Sequence, residues 1–368
     1  MSTKLLSLLA IATVAMIMVP VIDVDAGSAV AGDYESQLDS NGKGLYDTIV
    51  TELSKAEGSP ADTVTVSYDV RTPVLFESTE AGKAEAGEYA IGMVNDALAA
   101  LYYTDPSYIW LWDYPVTGAV VDKVVEQVAL TSEGTSVAYY TVSAVSFQLN
   151  VPEAFKDDPS TEKNEILDAI TSVRDKMRSF EGSVMDKVSA INDVLRGVSK
   201  VDEEEGKVGN IYDALVTGKS TSAGIAAAFT CMCAANGVDA QTVRGSVLKD
   251  MDANTAVGYW NMVFDEDKWY AVDCSWNSSE ARNCLMVGFT SKVVVPGQDS
   301  FTRFGASHNA DLDMSAANSL STPVLESEGV SWPDDSTILE KYGSQIFMVI
   351  IGVVLAGAFI YAIRTGNV

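Results

Sequence analysis

Histidine is almost missing from this chain: among 368 residues there is one, His308. Imidazole is the side chain that most often serves as general acid or base at neutral pH, so any mechanism needing a histidine base has a single candidate. Positive charge is also scarce, with 24 Lys and Arg against 51 Asp and Glu and a formal net charge of −27. Such a chain repels polyanions at long range, which argues against nucleic acid as a partner. Cysteine is limited to Cys231, Cys233, Cys274 and Cys284. Their spacing lacks the paired C-x-x-C knuckles of a structural zinc site, so neither a metal nor a cofactor is expected. Cys231 and Cys233 lie two apart on a predicted helix and face different sides. The four are read either as buried small thiols or as containing one disulfide, for which Cys274 with Cys284 is the easiest pairing. There is no internal repeat and no low-complexity block.

Apolar residues are plentiful, at 47% of the chain, enough for one large domain or two small ones. Two apolar runs lie near the ends. The first, Leu5 to Pro20, follows Lys4 and reaches a small-residue site at Val24-Asp25-Ala26, the pattern of a secretory signal over residues 1–26, with an uncleaved anchor as the other reading. The second, IFMVIIGVVLAGAFIYAI, has no charge from Ile346 to Ile363. At about 1.5 Å rise per residue it just spans a bilayer core, so a transmembrane helix is expected over 345–364. Arg364 follows it, and a positive flank stays inside, leaving the bulk of the chain outside. Residues 321–344, with two prolines, two glycines and little periodicity, read as a stalk.

Between these ends, LYDTIVTELSKA suggests a helix and TVTVSYDV alternates as a strand. EYAIGMVNDALAALYYTD places Ile91, Val94, Leu98 and Leu101 on one helical stripe that stops before Asp105-Pro106. GAVVDKVVEQVAL and SVAYYTVSAVSFQLNV read as a hairpin. Helical spacing returns in TEKNEILDAITSVRDKM, and again in VMDKVSAINDVL through Val184, Val188, Ile191 and Leu195. A glycine turn then leads into an alanine-rich helix, GKSTSAGIAAAF, followed by a strand AQTVRGSV. A last hairpin joins VGYWNMVF to WYAVDCSW through an acidic turn.

That order, with IYDALVTGKSTSAGIAAAF, then NGVDAQTVRG, then GYWNMVFDEDKWYAVDCSW, resembles the transglutaminase-like superfamily, which shares the papain-like cysteine-protease core. The resemblance implies an α+β fold: a helix packed on an antiparallel sheet over residues 181–320, preceded by an N-terminal α/β region over 27–180. It also implies a cysteine on the helix, a histidine two residues before the W-N tryptophan and an aspartate closing W-Y-x-V-D. Those columns fall here on Ser222, Gly258 and Asp273, so only the aspartate is present. Asn192 stands where relatives commonly carry histidine, and His308 sits where microbial relatives often have a histidine outside the triad, which implies a structural role.

The chemistry makes the losses matter. A thiol at a helix N-terminus is activated by the dipole and a neighbouring imidazolium, whereas a serine works only if a base takes its proton during attack. Glycine offers no base, and Asp273 is expected to have no imidazole to orient. Ser222 reads as a helix N-cap and Asp273 as a partner for backbone amides or Ser275. Trp260, Trp269 and Trp276, with Tyr259 and Tyr270, are expected mainly to pack. A possible ligand cleft is drawn from Ser222, Tyr259, Trp260 and Asp273. What fills the space left at Gly258 decides whether it is open, and a bulky neighbour there such as Tyr259 or Trp260 would mean that it is closed. The expectation is therefore a membrane-anchored extracytoplasmic protein whose transglutaminase-like domain no longer catalyses acyl transfer. It would bind or scaffold a cell-surface protein or peptide. The alternative is a serine-dependent acyl hydrolase or transferase using Ser222 and Asp273, with His308 swung in by a loop.

Overall fold

The computed structural model describes residues 33–57, 63–105, 121–130, 135–150, 182–202, 211, 213–249, 254–277, 284–296, 300–310 and 320–330. The expected signal, the helix in TEKNEILDAITSVRDKM, residues 331–344 of the stalk and the run 346–363 lie outside them. Among the described residues no helix is long and apolar enough to cross a membrane.

The N-terminal half is a sheet covered by two helices. Strand β1 (Thr63–Asp69) buries Val64, Val66 and Tyr68 and exposes the residues between, as strict alternation requires. It pairs antiparallel with β4 (Ser136–Asn150), which also carries β2 (Phe76–Glu77) and β3 (Val121–Leu130). Helices α1 (Ser40–Glu57) and α2 (Glu80–Thr104) pack on this sheet and on each other. Thr79 caps α2 by accepting from Gly82 N–H. The stripe of α2 is wider than expected and turned by one position. Ala90, Val94, Ala97, Leu98 and Leu101 are buried while Ile91 is 45% exposed. The alanines are buried beside Val94, Leu98 and Leu101, so the covered face widens on their side and leaves Ile91 at its edge.

The C-terminal half carries a short parallel pair, β5 (Lys200–Val201) with β6 (Lys219–Ser220), and a second, antiparallel sheet of β7 (Ala240–Leu248), β8 (Thr255–Asp265), β9 (Lys268–Val272) and β12 (His308–Ala310) in the order β12-β7-β8-β9. Glu266 and Asp267 both have positive φ, 46° and 64°, the conformation of a two-residue type I′ hairpin. Helix α3 (Val184–Val198) opens on a capping box between Ser183 and Asp186 and buries Val188, Ile191 and Leu195. Helix α4 (Ser222–Ala235) lies on one face of the sheet. One contiguous core runs from Tyr34 and Leu101 through α3 and α4 to Val263 and Val272, so packing continues across the boundary expected at residue 181. The other face of the sheet packs on a second cluster of Val243, Trp260, Met262, Trp269, Trp276 and Phe304.

Residues 320–330 do not stand off the domain as the first part of a stalk. Leu325 bridges Trp269 beside β9, Glu326 N–H donates to the Trp269 carbonyl at 2.9 Å, and Val330 N–H to the Met286 carbonyl at 3.0 Å. This strap covers a sheet edge that would otherwise present unpaired backbone groups.

Candidate functional site

The W-N pair explains how α4 is mounted. On β8, successive side chains alternate, so Trp260 enters the second cluster while Asn261 faces the helix. Asn261 Nδ2 donates to the Ala226 carbonyl at 2.8 Å and to Thr230 Oγ1 at 2.9 Å, and Thr230 bonds Thr242 of β7 at 3.0 Å, all buried. These bonds hold the helix N-terminus against the sheet. Thr221, with an extended backbone (φ −72°, ψ 169°), is the N-cap, and Ser222 is the first helical residue. The expectation that Ser222 caps the helix is thus corrected by one position.

Gly258 leaves no vacancy for an imidazole. A Cβ built there collides with the side chain of Val247, the diagonal neighbour on β7, whereas the residue directly across from Gly258 is Gly245. The side chain that fills this space is that of Val247. Tyr259 also cannot share a cleft with Trp260: alternation turns it to the opposite face, against the main core. The four residues proposed to line one cleft are therefore divided between two sides of the sheet.

Asp273 is fully engaged. Its Oδ1 accepts from Ser275 N–H at 2.8 Å, Ser275 Oγ–H at 2.6 Å and Trp276 N–H at 3.2 Å, as expected for a turn-forming aspartate. Its Oδ2 does have an imidazole to orient: His308 Nε2 lies 3.1 Å away, the pair buried. The expectation that Asp273 stands alone is overturned, because β12 pairs with β7, His308 opposite Val247, and so carries the imidazole to Asp273. The other ring nitrogen, Nδ1, is 2.9 Å from Ser307 Oγ, which bonds the Phe304 carbonyl at 3.0 Å. Three aromatic rings wall the imidazole: Phe304 stacks on it at 4.1 Å, and Trp276 and Trp260 meet it edge-on at 4.5 and 5.2 Å. Gly245 contributes too, since a Cβ there would sit 2.6 Å from Trp260 Cη2.

The surroundings are held by a buried amide pair. Asn277 Nδ2 donates to Asn192 Oδ1 at 2.7 Å, while Asn277 Oδ1 accepts from Cys284 N–H at 2.7 Å, tying the segment after Asp273 to α3. All four cysteines are buried free thiols, so the disulfide alternative is not taken up. Burial pushes the thiols of Cys233, Cys274 and Cys284 well above their usual range, which makes them poor nucleophiles. Among the described residues no group of acids, cysteines and histidine could hold a metal ion.

Ser307 and Val247 were not visible as site residues in the sequence. The adjacent Ser-His pair was the one available signal for Ser307, and nothing in a valine on a strand marks it as the occupant of another residue's place.

The model of the transglutaminase-like superfamily core matches residues 171–274. No curated protein matches the chain. Among solved structures, a TGase is similar with 14% identity over 42% of this chain and 43% of its own length, at a TM-score of 0.25. The periplasmic domain of TgpA from Pseudomonas aeruginosa is similar with 17% identity over 42% of this chain and 63% of its own, at a TM-score of 0.24. The chain thus spans less than two thirds of either. Within residues 171–274 the helix, the W-N strand and the W-Y-x-V-D strand thus follow one another in the order of the transglutaminase-like superfamily core that this segment matches.

Proposed function

We propose that this protein is a membrane-anchored extracytoplasmic module in which a transglutaminase-like core binds or scaffolds a cell-surface protein or peptide and performs no acyl chemistry. The observation that carries this reading is the engagement of the chain's one imidazole. Both nitrogens of His308 are taken, by Asp273 and Ser307, inside an aromatic wall. A base must have a free nitrogen within about 3 Å of the hydroxyl it activates. With serine at the nucleophile position and Val247 filling the space at Gly258, neither a histidine at 258 nor His308 stands ready to take a proton from Ser222. No observation favours the serine-hydrolase alternative.

The test is an assay of the full chain for amide hydrolysis and for amine incorporation into glutamine peptides, beside Ser222→Ala. The expected result is no turnover above buffer in either. Turnover by the unmutated chain that Ser222→Ala abolishes overturns the proposal. A gain-of-function control needs three changes, Ser222→Cys, Gly258→His and Val247→Ala, because the first two alone leave the new imidazole in collision with Val247.

A further inference from the structure

In a chain so short of positive charge, two cations face each other directly. Strands β10 (Lys292–Val294) and β11 (Phe301–Arg303) pair antiparallel with Lys292 opposite Arg303 and Val294 opposite Phe301. Opposed like charges destabilise an antiparallel pair, so the fold gains nothing from this placement. Among the described residues neither cation has an ion-pair partner. The nearby strap acid Glu326 is turned to Lys268 at 3.4 Å, leaving Glu328 as the exposed acid alongside. The inner side of the hairpin is anchored by buried Val293. Its outer side joins the two cations to Phe301, 68% exposed, and Phe289, 54% exposed, lies next to Gly305 just beyond Arg303, its carbonyl accepting from Gly305 N–H at 2.9 Å.

We propose that this hairpin face docks on an anionic lipid bilayer, with Phe301 and Phe289 entering the headgroup layer and Lys292 and Arg303 meeting lipid phosphates. Exposed phenyl rings bury as apolar side chains at the boundary of headgroups and acyl chains, and basic residues are drawn to anionic leaflets. The path of the chain points to this occupant. The strap runs beside residues 286–290, with Thr290 N–H on the Ser327 carbonyl at 2.8 Å, and ends at Val330, next to the start of the hairpin. From there residues 331–345 reach at most about 50 Å to the uncharged run 346–363. The docking rests on the anchor reading of that run but not on the loss of catalysis. A tether holds the face near the lipid although the net charge of −27 opposes approach from solution.

The experiment places the full chain in phosphatidylcholine vesicles with and without phosphatidylglycerol, using brominated acyl chains that quench nearby indoles. Phe301→Trp is compared with Val257→Trp, an exposed control on β8, each against the six native tryptophans. The expected result is severalfold stronger quenching of the added indole at 301 in the anionic vesicles. Lys292→Glu with Arg303→Glu should weaken docking by about tenfold or more. Equal quenching at both positions, or none at either, in a chain that resists alkaline carbonate extraction overturns the docking while leaving the anchor standing. Quenching at 301 that is indifferent to both the lipid charge and the charge reversal overturns it also. A chain released by carbonate and unquenched overturns both. A concentration-dependent dimer that Phe301→Glu abolishes, with no lipid quenching, assigns the face to a second copy and overturns the proposal. Slower amide exchange over 289–303 of the unmutated chain in anionic than in neutral vesicles is the second expected result, and it requires no substitution.

Discussion

Asp273 receives three donors on one oxygen and faces His308 with the other, while His308 depends on Asp273 and Ser307 alone for its polar contacts. The asymmetry sets the order of two mutational effects. Asp273→Ala strands a buried imidazole and releases the turn amides at once, and is expected to cost about 3–5 kcal/mol. His308→Phe keeps the ring in its aromatic wall and leaves Oδ1 bonded, so its cost should stay nearer 1–3 kcal/mol. Urea unfolding of the two variants checks the ranking, and equal losses would show that the pair acts as a single unit. At this scale the sequence was half legible. That Asp273 would bond Ser275 and nearby amides followed from the local sequence. That it would also meet His308 did not, because the two are 35 residues apart and are joined by a three-residue strand. So short a strand has too little alternation to be read.

The elements were read with better success where they are long. The β8–β9 hairpin, the α4 helix and the alternating β1 follow directly from period and turn chemistry. Helix α2 shows where such reading slips: Val94, Leu98 and Leu101 of the expected stripe are buried, but so are the alanines beside them, and the covered face leaves Ile91 outside. Ile91→Lys is expected to change stability by less than about 0.5 kcal/mol, since the position is exposed. Val94→Ala, one turn away and fully buried, should cost about 1–3 kcal/mol. Thermal unfolding of the pair decides the matter, and a large loss at Ile91 would mean that this face of α2 is covered. The strap over 320–330 was missed because its backbone bonds to β9 and to residues 286–290 are made by a segment with no periodicity of its own.

Across the whole molecule, buried ionisable groups give the stability a pH dependence with a definite sign. Burial raises the thiols of Cys233, Cys274 and Cys284 and the hydroxyls of Tyr34, Tyr102 and Tyr103 above their ordinary values. In the unfolded chain these groups ionise from about pH 9 for the thiols and about pH 10 for the phenols. In the folded chain they stay neutral to higher pH, so the native state binds more protons than the unfolded state in that interval, and stability falls as pH rises. Urea midpoints should be flat from about pH 7 to 8 and decline progressively above pH 9. A midpoint independent of pH up to 10.5 would contradict the burial of these groups.

The strap carries a consequence for any load borne through the C-terminal end. Tension applied beyond Val330 meets the Val330–Met286 bond first, then Thr290–Ser327, then Phe289–Glu326, before it reaches the tie between Glu326 and Trp269. Bonds met one after another yield at lower force than bonds strained together, so the strap should peel while the sheet beneath keeps its pairing. It would act as a mechanical fuse that spares β9, exposing its edge only after the segment has come away.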